Sequence, residues 1–489
     1  MRSIDLSTVI KAYDVRGTVP EQLSSDVARA IGAAFAEVVV RRDGADQVVV
    51  GHDMRDSGPE LVAAFASGLT AAGVDVVRAG LCSTDGLYFA SGHLGVPGAM
   101  FTASHNPARY NGIKLCRSGA RPVGQDSGLA EIRAVAQRLL DAGEPAAPQA
   151  GAPDGGAAAP VRTGSVTDRD LLRDYAQFLR DLVDLSGIRP LKVVVDAGNG
   201  MGGHTVPAVL GTAAGLPELP LEIVPLYFEL DGTFPNHEAN PLEPANLRDL
   251  QAAVVAHGAD IGLAFDGDAD RCFVVDESGA AVSPSAVTVL VGMREVATEL
   301  EAGREPTVIY NLVTSRAVPE YLGALGARTL RTRVGHSFIK AEMAEHDAVF
   351  GGEHSAHYYF RDFFHADSGM LAAMHVLAAL GSQPHPLSSV AEMYSPYASS
   401  GEINSRVGDV ARATERVRAA YTTAYEDAEL DELDGLTVSH WHGQPQWWFS
   451  LRASNTEPLL RLNVEAADED IMEKLRDDVL SLVRQEEEA

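Results

Sequence analysis

Three segments of the chain repeat one pattern, in which a run of β-branched residues ends in a polar or glycine-rich loop that opens a segment of helical period. The runs are DQVVVGHD from Asp46, LKVVVDAGNGMGG from Leu191 and PTVIYNLVTS from Pro306. The helices that follow are predicted at Gly58 to Ala72, near His204 to Leu210 and near Arg316 to Leu325. Strands of this kind are parallel and covered by helices, and ligands bind beyond their carboxyl ends. The repeat predicts three α/β units whose loops carry the site.

The rest of the chain indicates where these units end. With 489 residues the chain is long enough for three or four domains. Asp141 to Gly164 is rich in Ala, Pro and Gly without an apolar period, so we expect a flexible insertion there. The last segment combines strand-like runs with a charged amphipathic helix, Asp468 to Glu488, which predicts a separate α+β domain. We expect domains at 1–165 (with 141–164 as the insertion), 166–281, 282–396 and 397–489.

Charge and composition exclude several classes of partner. The net charge of −29 disfavours binding to nucleic acid or to an anionic membrane surface, because both would repel the protein. No apolar run is long enough to span a bilayer, and charges interrupt the N-terminal segment before a signal-type apolar core. The cysteines Cys82, Cys116 and Cys272 are widely spaced, as in reduced buried thiols. We expect a cytoplasmic protein, monomeric or weakly dimeric, with no nucleic-acid or membrane partner.

An acidic loop follows the apolar run Ile261 to Phe265. It places three carboxylates at alternate positions, Asp266, Asp268 and Asp270. These groups repel one another unless a hard divalent cation lies among them. An EF-hand is the first alternative, with Glu277 at the twelfth position, but Arg271 occupies the place that needs glycine and both flanks are strand-like. A solvated acidic hairpin is the second. Arg271 favours a metal site that also binds phosphate.

Two further loops offer polar side chains to a small ligand. In GGEHSAHYYF the alternating residues Glu353, Ser355 and His357 share one side of an extended segment and suit sugar hydroxyls, although a surface strand explains the pattern equally well. In RASNTEPLLR one turn collects donors suited to a terminal phosphate: Arg452, Ser454, Asn455 and Thr456. A helix or turn cap would use the same serine or asparagine.

The segment GAMFTASHNP ends a short apolar run at Ser104 and His105. Ser104 could simply cap the following turn, with Pro107 near its start. No GxSxG motif is present, so an α/β-hydrolase nucleophile is disfavoured. A serine that carries a phosphoryl group is compatible with these neighbours, since metal, arginine and lysine can stabilise the transfer without a Ser-His-Asp triad. Lys114 in YNGIKL lies close enough in sequence to serve the same loop.

Several loops together resemble one family. TASHNP, YNGIKL, DGDADR, VGHSFIK, GEHSAH and RASNTEP occur in the order found in α-D-phosphohexomutases, with YDVRG at Tyr13 to Gly17 before them. The chain is most similar to the phosphomannomutase/phosphoglucomutase branch, over nearly its whole length. The resemblance implies an α/β protein with three related α/β domains of mixed, largely parallel sheets around a central cleft, and a C-terminal α+β lid domain.

The resemblance also implies roles for individual residues. Ser104 would be a phosphoserine, and Mg²⁺ would bind to its phosphate and to Asp266, Asp268 and Asp270. Lys114, Arg271 and His105 would stabilise charge and assist proton transfer. The remaining residues would bind substrate: Tyr13 and Arg16 at the cleft border, His336, Glu353, Ser355 and His357 at the sugar, and Arg452, Ser454, Asn455 and Thr456 at the phosphate that does not react.

The implied activity is the interconversion of hexose 6-phosphate and hexose 1-phosphate, for mannose and/or glucose, through a hexose 1,6-bisphosphate. One departure is Val313, where some members of the family carry lysine; Arg316 is a candidate to replace that charge. A phosphoglucosamine mutase, a metal-dependent sugar phosphatase and a non-catalytic sugar-phosphate binder are the alternatives.

Overall fold

The first of four sheets is mixed and is built by residues before 170. In the computed structural model, which describes residues 4–11, 14–143, 162–453 and 459–485, its strands lie in the order β1-β5-β4-β2-β3-β7, with β6 paired to β5. Strands β4, β2, β3 and β7 run parallel, whereas β1, β5 and β6 pair antiparallel. The elements are β1 (Val15–Thr18), α1 (Ser25–Phe35), β2 (Gln47–His52), α2 (Gly58–Ala71), β3 (Asp75–Leu81), α3 (Thr84–Leu94), β4 (Gly98–Phe101), β5 (Tyr110–Arg117), β6 (Arg121–Pro122), α4 (Leu129–Ala142) and β7 (Val166–Asp168).

The second unit repeats the mixed arrangement with the order β12-β11-β10-β8-β9. Strands β10, β8 and β9 are parallel, and β10, β11 and β12 form an antiparallel meander. Its elements are α5 (Leu172–Leu182), β8 (Leu191–Asp196), α6 (Gly202–Val209), β9 (Leu221–Leu226), α7 (Arg248–His257), β10 (Ile261–Phe265), β11 (Cys272–Asp276) and β12 (Ala281–Val282).

The third unit has the order β14-β13-β15-β16-β17, again with a parallel and an antiparallel half. Its elements are α8 (Pro284–Glu301), β13 (Thr307–Asn311), α9 (Ala317–Ala324), β14 (Arg328–Thr332), α10 (His336–His346), β15 (Phe350–Gly352), β16 (Tyr358–Phe360), β17 (Ala366–Asp367), α11 (Gly369–Gly381) and α12 (Leu387–Met393).

The fourth unit differs from the others because its sheet is antiparallel throughout, in the order β18-β22-β21-β20-β19. Its elements are β18 (Ala398–Arg406), α13 (Val410–Ala424), β19 (Glu429–Asp431), β20 (Leu436–Ser439), β21 (Trp447–Ala453), β22 (Leu459–Ala466) and α14 (Glu469–Val483). The α/β class, the three mixed sheets and the separate C-terminal α+β unit are therefore confirmed.

The short sequence signals place the elements correctly. The three β-branched runs form β2, β8 and β13, and the helices predicted after them are α2, α6 and α9. Local capping supports the ends: the Ser24 side chain accepts a hydrogen bond from the Val27 N–H at the start of α1. Most of the predicted 141–164 insertion lies outside the described residues. Its described ends belong to the last residues of α4 and the approach to β7.

The cores show how the units are joined. One continuous apolar cluster runs from α3 in the first unit through the second and third sheets, whereas α1, α2 and α4 enclose a second cluster. The fourth unit has a cluster of its own, drawn from residues 413–483. The first three units thus share a core, and the fourth joins them through contacts such as the hydrogen bonds of Arg316 to Ser439 and of Trp441 to Glu320.

Two further expectations concern cysteines and membranes. Cys116 and Cys272 are buried free thiols, and Cys82 is a partly buried one. Among the described residues, no helix combines the length and the apolar character that crossing a bilayer requires.

Candidate active site

Ser104 lies in a tight turn directly after the buried strand β4. Its backbone adopts φ +49°, in the left-handed region that residues other than glycine rarely occupy. The Ser104 N–H donates to Thr102 Oγ1 at 2.9 Å, and the Asn106 N–H donates to the Ala103 carbonyl at 3.0 Å. These bonds hold the turn so that Ser104 Oγ donates to Asp266 Oδ2 at 2.8 Å, in the second unit.

The acidic loop connects β10 to β11 and is fully buried. One oxygen of each carboxylate, from Asp266, Asp268 and Asp270, lies within 4.8 Å of the others. Within the described ranges, Oδ1 of Asp268 and Oδ1 of Asp270 have no hydrogen-bond partner. Buried carboxylate oxygens without a donor, grouped at this spacing, suit a hard divalent cation such as Mg²⁺.

Gly267 allows the acidic loop to approach the serine turn. A Cβ at Gly267 would lie 2.5 Å from the Ser104 carbonyl oxygen, closer than any side chain tolerates. The glycine between the first two aspartates is therefore required by contact between two backbones rather than by its own conformation.

Two cations neutralise this acidic cluster. Arg271 donates to Asp266 Oδ2 from Nε at 3.0 Å and from Nη2 at 2.8 Å, and Nη2 lies 3.4 Å from Ser104 Oγ. Lys114 Nζ donates to Asp268 at 2.7 Å and to Asp270 at 2.6 Å. Lys114 reaches them because β5 pairs antiparallel with β4, which places it opposite Met100. The predicted grouping of serine, acids, lysine and arginine is present in the structure.

Burial and charge set the protonation of this group. Burial raises the pKa of Asp266 to about 8, with Arg271 opposing the shift and the other two carboxylates adding to it. Burial would also raise the pKa of Asp268, but the Lys114 ammonium lowers it below its ordinary value. The pKa of Lys114 is raised despite its burial, because Asp268 and Asp270 stabilise the charged form.

His105 is a neutral acceptor in this arrangement. Its Nδ1 lies 2.6 Å from Arg271 Nη2 and 3.2 Å from Ser104 Oγ. Burial first, and then the Arg271 guanidinium, lower the pKa of His105 to about 2. An imidazole in this state accepts a hydrogen bond from the arginine and does not add positive charge.

The GGEHSAHYYF loop joins β15 to β16 and contacts the acidic loop. Glu353 accepts hydrogen bonds from Asn311 Nδ2 at 2.9 Å and from the Tyr359 hydroxyl at 2.5 Å. Ser355 Oγ lies 3.0 Å from His357 Nδ1, and His357 Nε2 lies 3.7 Å from Asp270 Oδ1. A backbone bridge between Arg271 and His357 fixes the contact between the second and third units.

His336 begins α10 and adds to the same region. Burial, with the positive charge of Lys340 nearby, lowers the pKa of His336 to about 3. Lys340 is itself buried, 2.5 Å from Asp367 and 4.0 Å from the centre of the Tyr88 ring. Lys340 and Asp367 are absent from the sequence-based prediction, although VGHSFIK contains the lysine.

Arg16 and Arg452 lie at the two ends of the predicted substrate site. Arg16 donates to Asn106 Oδ1 at 2.6 Å, beside the serine turn, and its buried Nε has no partner among the residues that the structure describes. Arg452, on β21, donates to Asp434 and Glu402 at 3.4 Å each. The other predicted ligands, Tyr13, Ser454, Asn455 and Thr456, lie outside the described residues.

The loop after β13 has Val313 where some family members carry lysine, and Arg316 does not replace that lysine beside Ser104. The Arg316 guanidinium donates to Ser439 Oγ at 3.1 Å and lies 5.8 Å from the Trp441 ring centre, both in the fourth unit. Its backbone N–H donates to Glu465 at 2.9 Å. Arg316 therefore joins the third unit to the fourth.

Two further residues that support the site, Thr84 and Arg55, are missing from the sequence-based prediction. Thr84, at the start of α3, donates from its hydroxyl to Asp268 Oδ2 at 2.5 Å and from its backbone N–H to the Asp268 carbonyl at 3.0 Å. Arg55, after β2, donates to carbonyl oxygens of the serine turn. Both follow the carboxyl ends of strands, so the rule that ligands bind there is a signal that could have found them.

Known proteins match this chain over nearly its whole length. Models of the family described as phosphoglucomutase/phosphomannomutase match in order: alpha/beta/alpha domain I over residues 7–141, domain II over 173–279, domain III over 285–397 and the C-terminal domain over 402–482. A phosphomannomutase of Escherichia coli is 39% identical over 487 residues, covering 98% of this chain and 99% of the relative.

Two further relatives support the match. A Xanthomonas campestris protein named phosphohexose mutases is 40% identical over 482 residues, covering 97% of this chain and 98% of the relative. A crystal structure of a phosphoglucomutase/phosphomannomutase family protein from Burkholderia thailandensis has a TM-score of 0.81 at 32% identity, covering 98% of this chain and 97% of that one. The chain therefore belongs to the phosphoglucomutase/phosphomannomutase family.

Proposed function

We propose that this enzyme interconverts hexose 6-phosphate and hexose 1-phosphate, for mannose and/or glucose, through phosphorylated Ser104 and a hexose 1,6-bisphosphate. The observation that carries the proposal is the hydrogen bond from Ser104 Oγ to Asp266, together with the Arg271 Nη2 atom 3.4 Å from the same serine oxygen. A hydroxyl held against an acidic cluster and two cations suits phosphoryl transfer, which needs charge neutralisation more than a strong base.

The acidic cluster is proposed as the magnesium site. Asp266, Asp268 and Asp270 would hold the ion, with an oxygen of the phosphorylated Ser104 as a further ligand. The unpartnered Oδ1 atoms of Asp268 and Asp270 support this assignment. Bound Mg²⁺ would neutralise oxygens of the transferring phosphoryl group.

The protein's own cations carry the rest of the charge. In the forward step the bond between phosphorus and Ser104 Oγ breaks, a bond forms between phosphorus and a hexose oxygen, and the proton of that hexose hydroxyl ends on Ser104 Oγ. The return step transfers the other phosphoryl group of the bisphosphate to Ser104. Arg271 and Lys114 are placed to neutralise the transferring group in both steps, and buried surroundings protect the phosphoserine from water. His105 would orient Arg271 through their hydrogen bond.

The substrate would lie in a central cleft among the four units. Glu353, Ser355, His357 and His336 are proposed to contact the sugar. Arg452, Ser454, Asn455 and Thr456 are proposed to bind the phosphate that does not react, with Tyr13 and Arg16 at the border of the cleft. Either phosphate of the bisphosphate must face Ser104 in turn, and polar groups that accept two sugar orientations suit that requirement better than a tight apolar pocket.

The organisation of the chain follows from the same proposal. We propose domains at 1–165, 166–281, 282–396 and 397–489, which carry the phosphoserine, metal, sugar and phosphate loops respectively. Most strands of one sheet fall within each range, which supports the proposed division, but β7 (Val166–Asp168) pairs with β3 in the first sheet, so the first unit extends a few residues beyond 165. We also propose a cytoplasmic monomer or weak dimer that acts on sugar phosphates. Its free thiols support a reducing compartment.

The test is a product analysis of the purified enzyme with Mg²⁺. Mannose 1-phosphate, glucose 1-phosphate and glucosamine 1-phosphate are supplied separately with a trace of the matching bisphosphate, and products are followed by phosphorus NMR. Formation of the 6-phosphate of mannose or glucose is the expected result. Exclusive turnover of the glucosamine ester, steady release of inorganic phosphate without isomer, or calorimetric binding without turnover would each contradict the proposal in favour of one alternative.

A further inference from the structure

Arg55 is a buried arginine in the loop between β2 and α2, and its hydrogen bonds converge on one turn. Its side chain is 1% exposed. Nε donates to Asp53 Oδ2 at 3.2 Å, and the two terminal nitrogens donate to four backbone carbonyls: Pro107 and Tyr110 at 3.0 Å each, Ser104 at 2.9 Å and Asn106 at 2.6 Å. All five N–H groups of the guanidinium are therefore used.

The four carbonyls belong to the turn that presents Ser104. That turn contains a serine in the left-handed region, which is an unfavourable backbone conformation. Such a conformation persists only where contacts with the surrounding structure hold it in place. Arg55 holds the turn through the carbonyl of Ser104 itself, while Ser104 Oγ donates to Asp266.

The second unit closes over Arg55. The Phe234 ring centre lies 5.2 Å from the guanidinium carbon, and a Cβ at Gly232 would lie 2.8 Å from Arg55 Cα. Asp53, also buried, neutralises the charge. Arg55 is thus locked between the unit that carries Ser104 and the unit that carries the acidic loop.

We propose that Arg55 is a positioning residue for the reaction: its planar guanidinium sets the serine turn so that Oγ faces the acidic cluster. It touches neither the hydroxyl of Ser104 nor the cluster. Lysine cannot replace it, because a single ammonium offers three donors from one point and cannot span four carbonyls. The proposal rests on the proposed phosphoserine role of Ser104.

The test compares Arg55→Lys with Arg180→Lys. Arg180 is a matched control, since its guanidinium also donates to three backbone carbonyls, those of Val209, Gly211 and Pro217, but in the second unit away from the turn. Steady-state kinetics, the rate of Ser104 phosphorylation by bisphosphate and the melting temperature are measured for both variants and for the wild type.

Arg55→Lys is expected to lower kcat by about 10²-fold, as a misplaced reacting group does, with KM changed by less than about threefold. Ser104 phosphorylation should slow by the same factor. Arg180→Lys should lower the melting temperature comparably and leave kcat within about twofold of wild type. Equal kcat in the two variants, or a KM that rises as kcat falls, would overturn the proposal.

A second variant covers failure of Arg55→Lys to fold. The double variant Asp53→Asn/Arg55→Met leaves no unpaired buried charge and removes all four carbonyl contacts. The same loss in kcat is expected, and wild-type kcat would overturn the proposal. The wild type in the same assay distinguishes failure of the proposed function from failure of the role proposed for Arg55. Wild-type turnover without Ser104 phosphorylation would contradict the proposed function. Ser104 phosphorylation at the wild-type rate in Arg55→Lys would contradict only the role of Arg55.

Discussion

The two arginines beside Ser104 are held more tightly than Arg452 of the fourth unit. Arg55 and Arg271 are each 2% exposed, and their closest hydrogen bonds, to Asn106 and His105, are 2.6 Å. Within the described ranges, the Arg452 guanidinium makes two hydrogen bonds of 3.4 Å each, to carboxylates of its own unit. A phosphate can compete for a guanidinium held so loosely, whereas the groups around Ser104 are already fixed. The groups around Ser104 are thus pre-organised, whereas the Arg452 guanidinium, proposed to bind phosphate, is held loosely enough to change partners.

The cores explain this difference. The first three units share an apolar cluster, and α3 adds polar bonds between them: Thr84 bonds Asp268, and buried Asp85 accepts hydrogen bonds from Tyr175 at 2.7 Å and Ser368 at 2.6 Å. The fourth unit has its own cluster and joins through side chains such as Arg316. Movement of the fourth unit would therefore shift Arg452, the proposed phosphate ligand, without disturbing the contacts of Ser104.

The largest expected effect is at the fixed end. Ser104→Ala should lower mutase turnover by more than about 10³-fold, because the phosphoryl acceptor is removed, while the fold is kept. Turnover and circular dichroism are measured beside Ser91→Ala, another buried serine of the same unit, which bonds the Val96 carbonyl. Ser104→Ala with wild-type turnover would remove the reason for regarding this end as the reacting one.

The next effect concerns the metal. Asp268→Asn should weaken Mg²⁺ binding by at least about 10²-fold, because a charged ligand becomes neutral, and excess Mg²⁺ should restore part of the activity. Asp276→Asn is the control, since Asp276 accepts bonds from its own turn at the other end of β11. Magnesium titrations of activity that superimpose for the two variants would count against the acidic loop as the metal site.

The loosely held end should respond in KM instead. Arg452→Ala is expected to raise KM roughly 10- to 100-fold with a small change in kcat, the loss of one charged hydrogen bond of about 2 kcal/mol. Arg461→Ala is matched to it, because Arg461 lies opposite Arg452 in the sheet and also contacts Glu402. A fall in kcat with unchanged KM would mean that Arg452 belongs to the fixed end.

The smallest effect is expected at the junction. Arg316→Ala removes the contacts to Ser439 and Trp441 and should raise KM by about three- to fivefold, since closure of the fourth unit becomes less favourable. Arg316→Lys should raise KM less than Arg316→Ala does, because the positive charge is kept. A loss of kcat above 10-fold would instead support Arg316 as a substitute for the lysine absent at Val313.

The site residues that could be predicted from sequence are those whose chemistry is visible over a few positions. Asp266, Asp268 and Asp270 alternate along five residues, and Ser104 interrupts an apolar run. The supporting residues are different: Arg55 bonds Ser104 across 49 positions, and Thr84 bonds Asp268 across 184. Their position just after strands β2 and β3 is the one local signal, and it does not show which distant residues they bond.

In the fold, too, local features could be predicted from the sequence and long-range packing could not. Local runs predict β2, β8 and β13 with the helices after them, because hydrophobic period and loop composition are local properties. The shared core of the first three units depends on which helices pack together, and Gly267 shows its role only when Ser104 is placed beside it. Long-range packing of this kind leaves no periodic signal in a single sequence.

The central claim is that Ser104 carries the phosphoryl group between the two forms of the substrate. Intact-peptide mass spectrometry of the Ser104 peptide, before and after mixing with glucose 1,6-bisphosphate and then with excess hexose 1-phosphate, tests it most directly. The Ser104 peptide is expected to gain one phosphoryl group and to exchange it during turnover. A serine that is never phosphorylated in an enzyme that still turns over would contradict it.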